Sequence, residues 1–185
     1  MKTINLKKIT IATAAAIGLG TAAIATTNYF NQPTTVQAAS SKIKLSQNAA
    51  VKKFKAKFKK AKVESISLDK ENGRYVYEIE GFDSNNDYSV DINAETGAVS
   101  HVHSEKLDRD DRNQKALDLS GVISRDEANR IAQEHAKGTS EEWKLERDDT
   151  SGKTYWEVKV KNGHQETEIK IDAHSKAVVS TEHDD

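Results

Sequence analysis

The chain has 185 residues and a formal net charge of −1, from 28 lysines and arginines against 29 acids, and it contains no cysteine. Without cysteine there is no disulfide framework, no thiolate nucleophile or metal ligand, and no lipid-modified cysteine at a processing site. Charge is uneven along the chain: Lys42 to Lys62 holds nine lysines and no acid, whereas Ser124 to the C-terminus holds ten basic and fifteen acidic residues.

The N-terminal stretch sets the expected compartment. Lys2, Lys7 and Lys8 form a basic segment, and no further charge occurs before Lys42. Ile9 to Ala25 is mildly apolar, and Val36-Gln37-Ala38 places small residues where a signal peptidase needs them. That order is the pattern of a secretory signal peptide, so residues 1–38 are expected to be removed after Ala38. The alternative is a retained anchor, but Thr and Gly dilute an apolar run already short of the ~20 residues of a spanning helix. The Ala/Thr-rich leader resembles those of Gram-positive bacteria, which places the mature chain in the wall or the medium. No second apolar segment follows, so no transmembrane segment is expected after cleavage. Export and a negative mature charge argue against nucleic-acid binding.

The remainder is a duplication. At a shift of 78 to 79 residues, Leu45–Ala50 overlies Ile123–Ala128, Tyr77–Glu80 overlies Trp156–Lys159, Val90–Ala94 overlies Ile169–Ala173, and Ala98-Val99 overlies Ala177-Val178. A one-residue gap between helix and sheet reconciles the two shifts. The expected organisation is a first module over 39–104, a charged linker over 105–120 and a second module over 121–185.

In the first module Ser46 is the expected N-cap of a helix whose apolar stripe is Ala50, Val51, Phe54, Phe58 and Ala61. Period-two alternation then predicts strands over 63–68, 74–81, 87–93 and 98–103. Asn72-Gly73 predicts a tight hairpin, because such turns need positive φ. In the second module Ser124 and Glu127 form a capping-box pattern ahead of Ala128, Ile131, Ala132, His135 and Ala136, and Gly138 suits the helix end. Strands are predicted over 142–147, 153–161, 165–172 and 177–181, with a turn at Asn162-Gly163. Alternation puts Tyr75, Tyr77 and Ile79, and likewise Trp156, Val158 and Val160, on covered faces. Glu78, Glu80, Glu157, Lys159 and Lys161 fall on wet faces. The fold class expected is α+β: two tandem small modules, each one helix packed on a four-stranded antiparallel sheet.

Tyr77-Glu78-Ile79 with Tyr88–Val99, and Trp156-Glu157-Val158 with Ile169–Val178, carry a resemblance to the PepSY domain family. These are small exported modules also found in propeptides of thermolysin-like metallopeptidases. Asn93 replaces the usual Asp in the first module, and Lys176 replaces the turn Gly in the second. The resemblance implies a non-catalytic protein-binding role, with a peptidase as the expected partner, and it carries no catalytic residues. It leaves Asn93 and Asp172 as turn-forming side chains.

Other chemistry is weaker. No serine sits in a nucleophile elbow, so no enzyme and no cofactor are expected. His101-Val102-His103 places two imidazoles on one side of a strand, a weak metal candidate that needs a third ligand. His135 is expected at the core edge, and His164 and His174 in or beside turns. Lys52, Lys53, Lys55, Lys57, Lys59, Lys60 and Lys62 surround the Phe54/Phe58 stripe. Of these, Lys52, Lys53, Lys55, Lys59 and Lys60 are the candidate contacts to anionic wall polymer.

Overall fold

The computed structural model describes residues 42–107 and 114–184. The leader, its cleavage position after Ala38 and part of the linker lie outside the described residues. In chain order the elements are α1 (Gln47–Lys57), β1 (Lys62–Glu71), β2 (Arg74–Phe82), β3 (Asn86–Asn93), β4 (Val99–Lys106), α2 (Arg125–His135), β5 (Thr139–Arg147), β6 (Thr154–Asn162), β7 (Gln165–Asp172) and β8 (Val178–Asp184).

Local chemistry explains the element ends. The Ser46 hydroxyl accepts from the Ala49 N–H at 3.3 Å, and Ser124 accepts from Glu127 N–H at 3.2 Å. Each cap satisfies one of the free N–H groups of a first turn. The Glu127 carboxylate accepts from Arg130 and from Lys176. Asn72 and Gly73 turn the β1–β2 hairpin with φ of 47° and 79°. In the turns after β3 and β7, Asn93 Oδ1 accepts from Glu95 and Thr96 N–H, and Asp172 Oδ1 from His174 and Ser175 N–H, all at 2.8–3.1 Å. Gly97 and Lys176 both adopt left-handed backbone there, with φ of 72° and 68°. The lysine therefore occupies a glycine conformation.

The eight strands form one antiparallel sheet in the order β4-β3-β2-β1-β5-β6-β7-β8. This corrects the expectation of two separate four-stranded sheets. Each module on its own would leave the edge of its first strand unpaired, and the two edges pair with each other through Ile66↔Leu145, Ser67↔Lys144 and Leu68↔Trp143. Pairing satisfies backbone groups that an open edge exposes. Directly opposed residues share a face, so Ile66, Leu68, Trp143 and Leu145 join the two cores into one. Both helices then cover the same side of the sheet.

The pairs also define the duplication more finely. Tyr77 opposes Leu68, and its counterpart Trp156 opposes Leu145. The shift is thus 78 at the helices, 77 at the first strand and 79 at the second. The link from helix to first strand is one residue shorter in the second module, and its β5–β6 connection is two residues longer. At a shift of 77, Ser67 corresponds to Lys144, so the seam has approximate twofold symmetry about that pair.

Among the largest side chains below 2% exposure are Trp143, Trp156, Tyr77, Phe54, Ile66 and Leu68. Tyr75 and Trp143, from different modules, place ring centroids 5.9 Å apart. Two glycines permit close approach, one at each end of the sheet. A Cβ on Gly81 would lie 2.1 Å from the Lys62 carbonyl oxygen, and one on Gly138 would lie 2.3 Å from that of Lys161. Gly138 follows the C-cap Ala136 of α2, so it serves this approach as well as the exit from the helix.

Candidate interaction surfaces

The seam is closed by polar groups that the duplication brings together. Gln47, at the start of α1, is 6% exposed; its Nε2 donates to Ile123 O at 3.3 Å, and its Oε1 accepts from Arg125 N–H at 2.6 Å. Arg125 is the counterpart of Gln47. Its guanidinium is buried 5.0 Å from the Trp143 ring centroid and bonds Asp126. Nearby, the Tyr77 hydroxyl donates to Leu45 O at 2.9 Å, and the Trp156 indole donates to Ile123 O at 3.1 Å. Burial pushes the Tyr77 phenol up to about 12. A phenol and an indole thus hold the same carbonyl in the two modules. Sequence reasoning missed Gln47 and Arg125, although their matched positions at a shift of 78 marked them as a pair.

The α1 side of the first module is cationic. Lys52, Lys57, Lys59, Lys60 and Lys62 are exposed, and none makes an ion pair with another described residue. Lys53 and Lys55 are half-buried and partly committed. The Lys53 stem lies over Gly97, and Lys55 Nζ donates to Ala61 O. Of the five wall-contact candidates, Lys52, Lys59 and Lys60 are the free ones.

The opposite face of the sheet differs between the modules. In the second, cations and acids alternate and pair: Lys170–Glu157 at 2.9 Å, Lys159–Glu142 at 3.4 Å, Lys161–Glu166 at 3.5 Å and Lys144–Glu146 at 2.5 Å. In the first, the counterparts of Lys144, Lys159 and Lys170 are Ser67, Glu80 and Asp91. Asp69, Glu78 and Glu80 make no ion pair with a described lysine or arginine. Burial, then Glu142 and more distantly Glu78 and Glu71, push Asp69 up to about 7 against a hydrogen bond from Ser67. Glu78 is raised by burial and by Glu80, Asp91 and Glu71. In the second module Glu168 is also raised, chiefly by burial and Glu157, with Lys159 opposing.

The outer edges are β4 and β8. Each is interrupted by a register shift, and Val99, Val102 and Val179 are their exposed apolar residues. His101 sits at the β4 irregularity with φ 44°, and its Nδ1 lies 2.5 Å from Asp91 Oδ2, which raises the imidazole pKa. His103 Nε2 lies 3.7 Å from Glu105. The two imidazoles therefore face separate carboxylates. Among the described residues no group of three or more His, Asp or Glu side chains is placed to hold a metal. His135, expected at the core edge, is exposed: it stands on the last turn of α2, and its ring bonds Ile131 O at 2.9 Å. His164 lies in the β6–β7 turn, and His174, beside the Asp172 turn, has Nε2 3.0 Å from Ser120 O. A hydroxyl–imidazole pair, Thr167 with His183 at 3.0 Å, lies exposed on the β8 edge, and no described carboxylate orients the ring. No helix among the described residues is long and apolar enough to cross a membrane.

Known proteins are similar to this chain in sequence and in fold. The chain is 32% identical over 123 residues to the uncharacterized protein YkoJ of Bacillus subtilis (strain 168), a match spanning 66% of each chain. A solved structure from Clostridium difficile 630, described as "a putative lipoprotein", superposes with a TM-score of 0.72 at 31% identity, over 77% of this chain and 95% of that one. The family model described as "Peptidase propeptide and YPEB domain" matches twice, over residues 44–102 and 122–182. Those two segments are the two halves of the sheet with their helices, and the chain belongs to the PepSY family as a tandem pair of its domains.

Proposed function

We propose that the chain is an exported, non-catalytic protein-binding protein that modulates an extracellular or envelope-associated peptidase, with residues 1–38 removed as a signal peptide. The observation that carries this reading is the double match to a family described through a peptidase propeptide. A lipoprotein description on a structural neighbour supports the envelope location. The buried polar groups of the seam are spent on joining the modules, which leaves the outer surfaces for a partner.

The test is a pull-down from culture supernatant and wall extract with residues 39–185 as bait, which retain every described element and the whole core. It is run at low salt and at about 0.5 M salt, where surface charge attraction is largely screened. A peptidase retained at high salt and slowed by a stoichiometric amount of the pure protein is the expected result. Recovery of no peptidase in either condition overturns the reading. A second reading, adhesion to anionic wall polymer, draws on the exposed lysines at 52, 57, 59, 60 and 62; it requires retention by purified walls that is lost on adding salt.

A further inference from the structure

The first module carries opposite charge on its two sides, and on both sides named groups make no ion pair with another described residue. On the helix side, Lys52, Lys57 and Lys59 are exposed and make no ion pair among the described residues. On the open sheet side, Asp69, Glu78 and Glu80 likewise make no ion pair with a described lysine or arginine, and the exposed Glu80 carboxylate accepts from the Ser65 hydroxyl at 2.7 Å. The fold does not require this arrangement. On the same backbone the second module puts Lys144, Lys159 and Lys170 at the positions of Ser67, Glu80 and Asp91, and all three pair with its own acids. Lys144, across the seam, feels the Glu80 charge, but its bonded partner is Glu146.

We propose that copies of this chain associate with one another, the open sheet face of the first module of one copy receiving the α1 lysine face of the next. The contact is between two different surfaces, so it does not close as a dimer and repeats along a stack. Each patch finds its complement on the same molecule, and association removes like-charge crowding from both. This goes beyond the peptidase reading and does not depend on it.

Sedimentation velocity over a concentration series tests the idea with residues 39–185. At about 20 mM salt the weight-average sedimentation coefficient is expected to rise with concentration, and at about 0.5 M salt to stay at the monomer value. Two charge-reversed variants sharpen the test: Glu78→Lys with Glu80→Lys, and Lys52→Glu with Lys57→Glu and Lys59→Glu. All five positions lie outside the core, and circular dichroism checks that each variant is folded. Each variant alone has two like-charged faces and should associate roughly tenfold or more weakly than the parent. An equimolar mixture restores opposite charge at every contact and should recover association. A parent that stays monomeric at low salt, association that persists at high salt or in either variant alone, or a mixture that stays monomeric overturns the proposal.

Discussion

The two modules are built on one backbone plan and differ in what they spend their side chains on. Positions that set the chain path are kept in function even where the residue changes. A serine caps each helix, an Asn or Asp side chain closes each β3- or β7-terminal turn, and Tyr77 or Trp156 ties the segment before each helix to the sheet. Positions on the open face follow no such rule. The second module places Lys144, Lys159 and Lys170 there, each paired with an acid, and the first places Ser67, Glu80 and Asp91, of which Asp91 meets His101. Backbone groups must be satisfied wherever they are buried, whereas a solvated face tolerates either charge pattern because exposed pairs contribute only about 0–1 kcal/mol each. The outer face is therefore free to carry function.

Four experiments press on this comparison. The largest effect is expected at the seam. Trp143→Ala removes a side chain 1% exposed that packs on Tyr75 of the other module. A loss of about 3–5 kcal/mol is expected, and urea denaturation followed by far-ultraviolet dichroism should show one transition shifted as a whole. Two separated transitions would show that the modules unfold independently despite sharing a core.

The second concerns Asp69, whose folded pKa of about 7 lies above its ordinary value of 3.8. A carboxyl raised in this way makes the folded state bind more protons than the unfolded state. Its contribution to stability is therefore most favourable at or below pH 4, declines as pH rises through the interval, and is fully lost above about pH 7. Asp69→Asn should flatten that part of the stability–pH curve and raise stability at pH 8; an unchanged curve would remove the crowding of Asp69 by Glu142 and Glu78.

The third is Gln47→Ala, which removes two buried hydrogen bonds across the seam and leaves Arg125 N–H and Ile123 O without that partner. Ile123 O keeps the Trp156 indole, so a cost of about 1–3 kcal/mol follows from leaving the buried Arg125 N–H unsatisfied. Thermal unfolding of this variant, of Trp143→Ala and of the double variant would reveal the two positions as coupled if the costs fail to add.

The smallest effect is expected at the turn where the second module has Lys176 in place of a glycine. Lys176 holds φ 68°, the conformation Gly97 supplies in the first module. Lys176→Gly relieves about 1 kcal/mol of left-handed backbone strain and gives up an exposed ion pair to Glu127 at 3.0 Å. A small net gain in melting temperature is expected, and a loss would mean that the Glu127 contact outweighs the strain.

Much of the fold was legible in the sequence because its signals are local. Alternation placed the eight strands to within a few residues, serine placed both N-caps, and Asn72-Gly73 placed a hairpin, since each depends on side-chain periodicity or a backbone φ near in sequence. The duplication revealed two PepSY domains for the same reason. Only the tertiary structure decided that the two sheets are one. The β1·β5 seam joins residues about 77 apart through backbone groups, which every residue offers alike, so no composition marks a strand edge that will be paired. It also decided that Gln47 and Arg125 are seam residues, that His101 and His103 face different carboxylates, and that Asp69, Glu78 and Glu80 make no ion pair with a described lysine or arginine. Those facts depend on which side chains meet across the sheet, and sequence spacing alone does not specify that meeting.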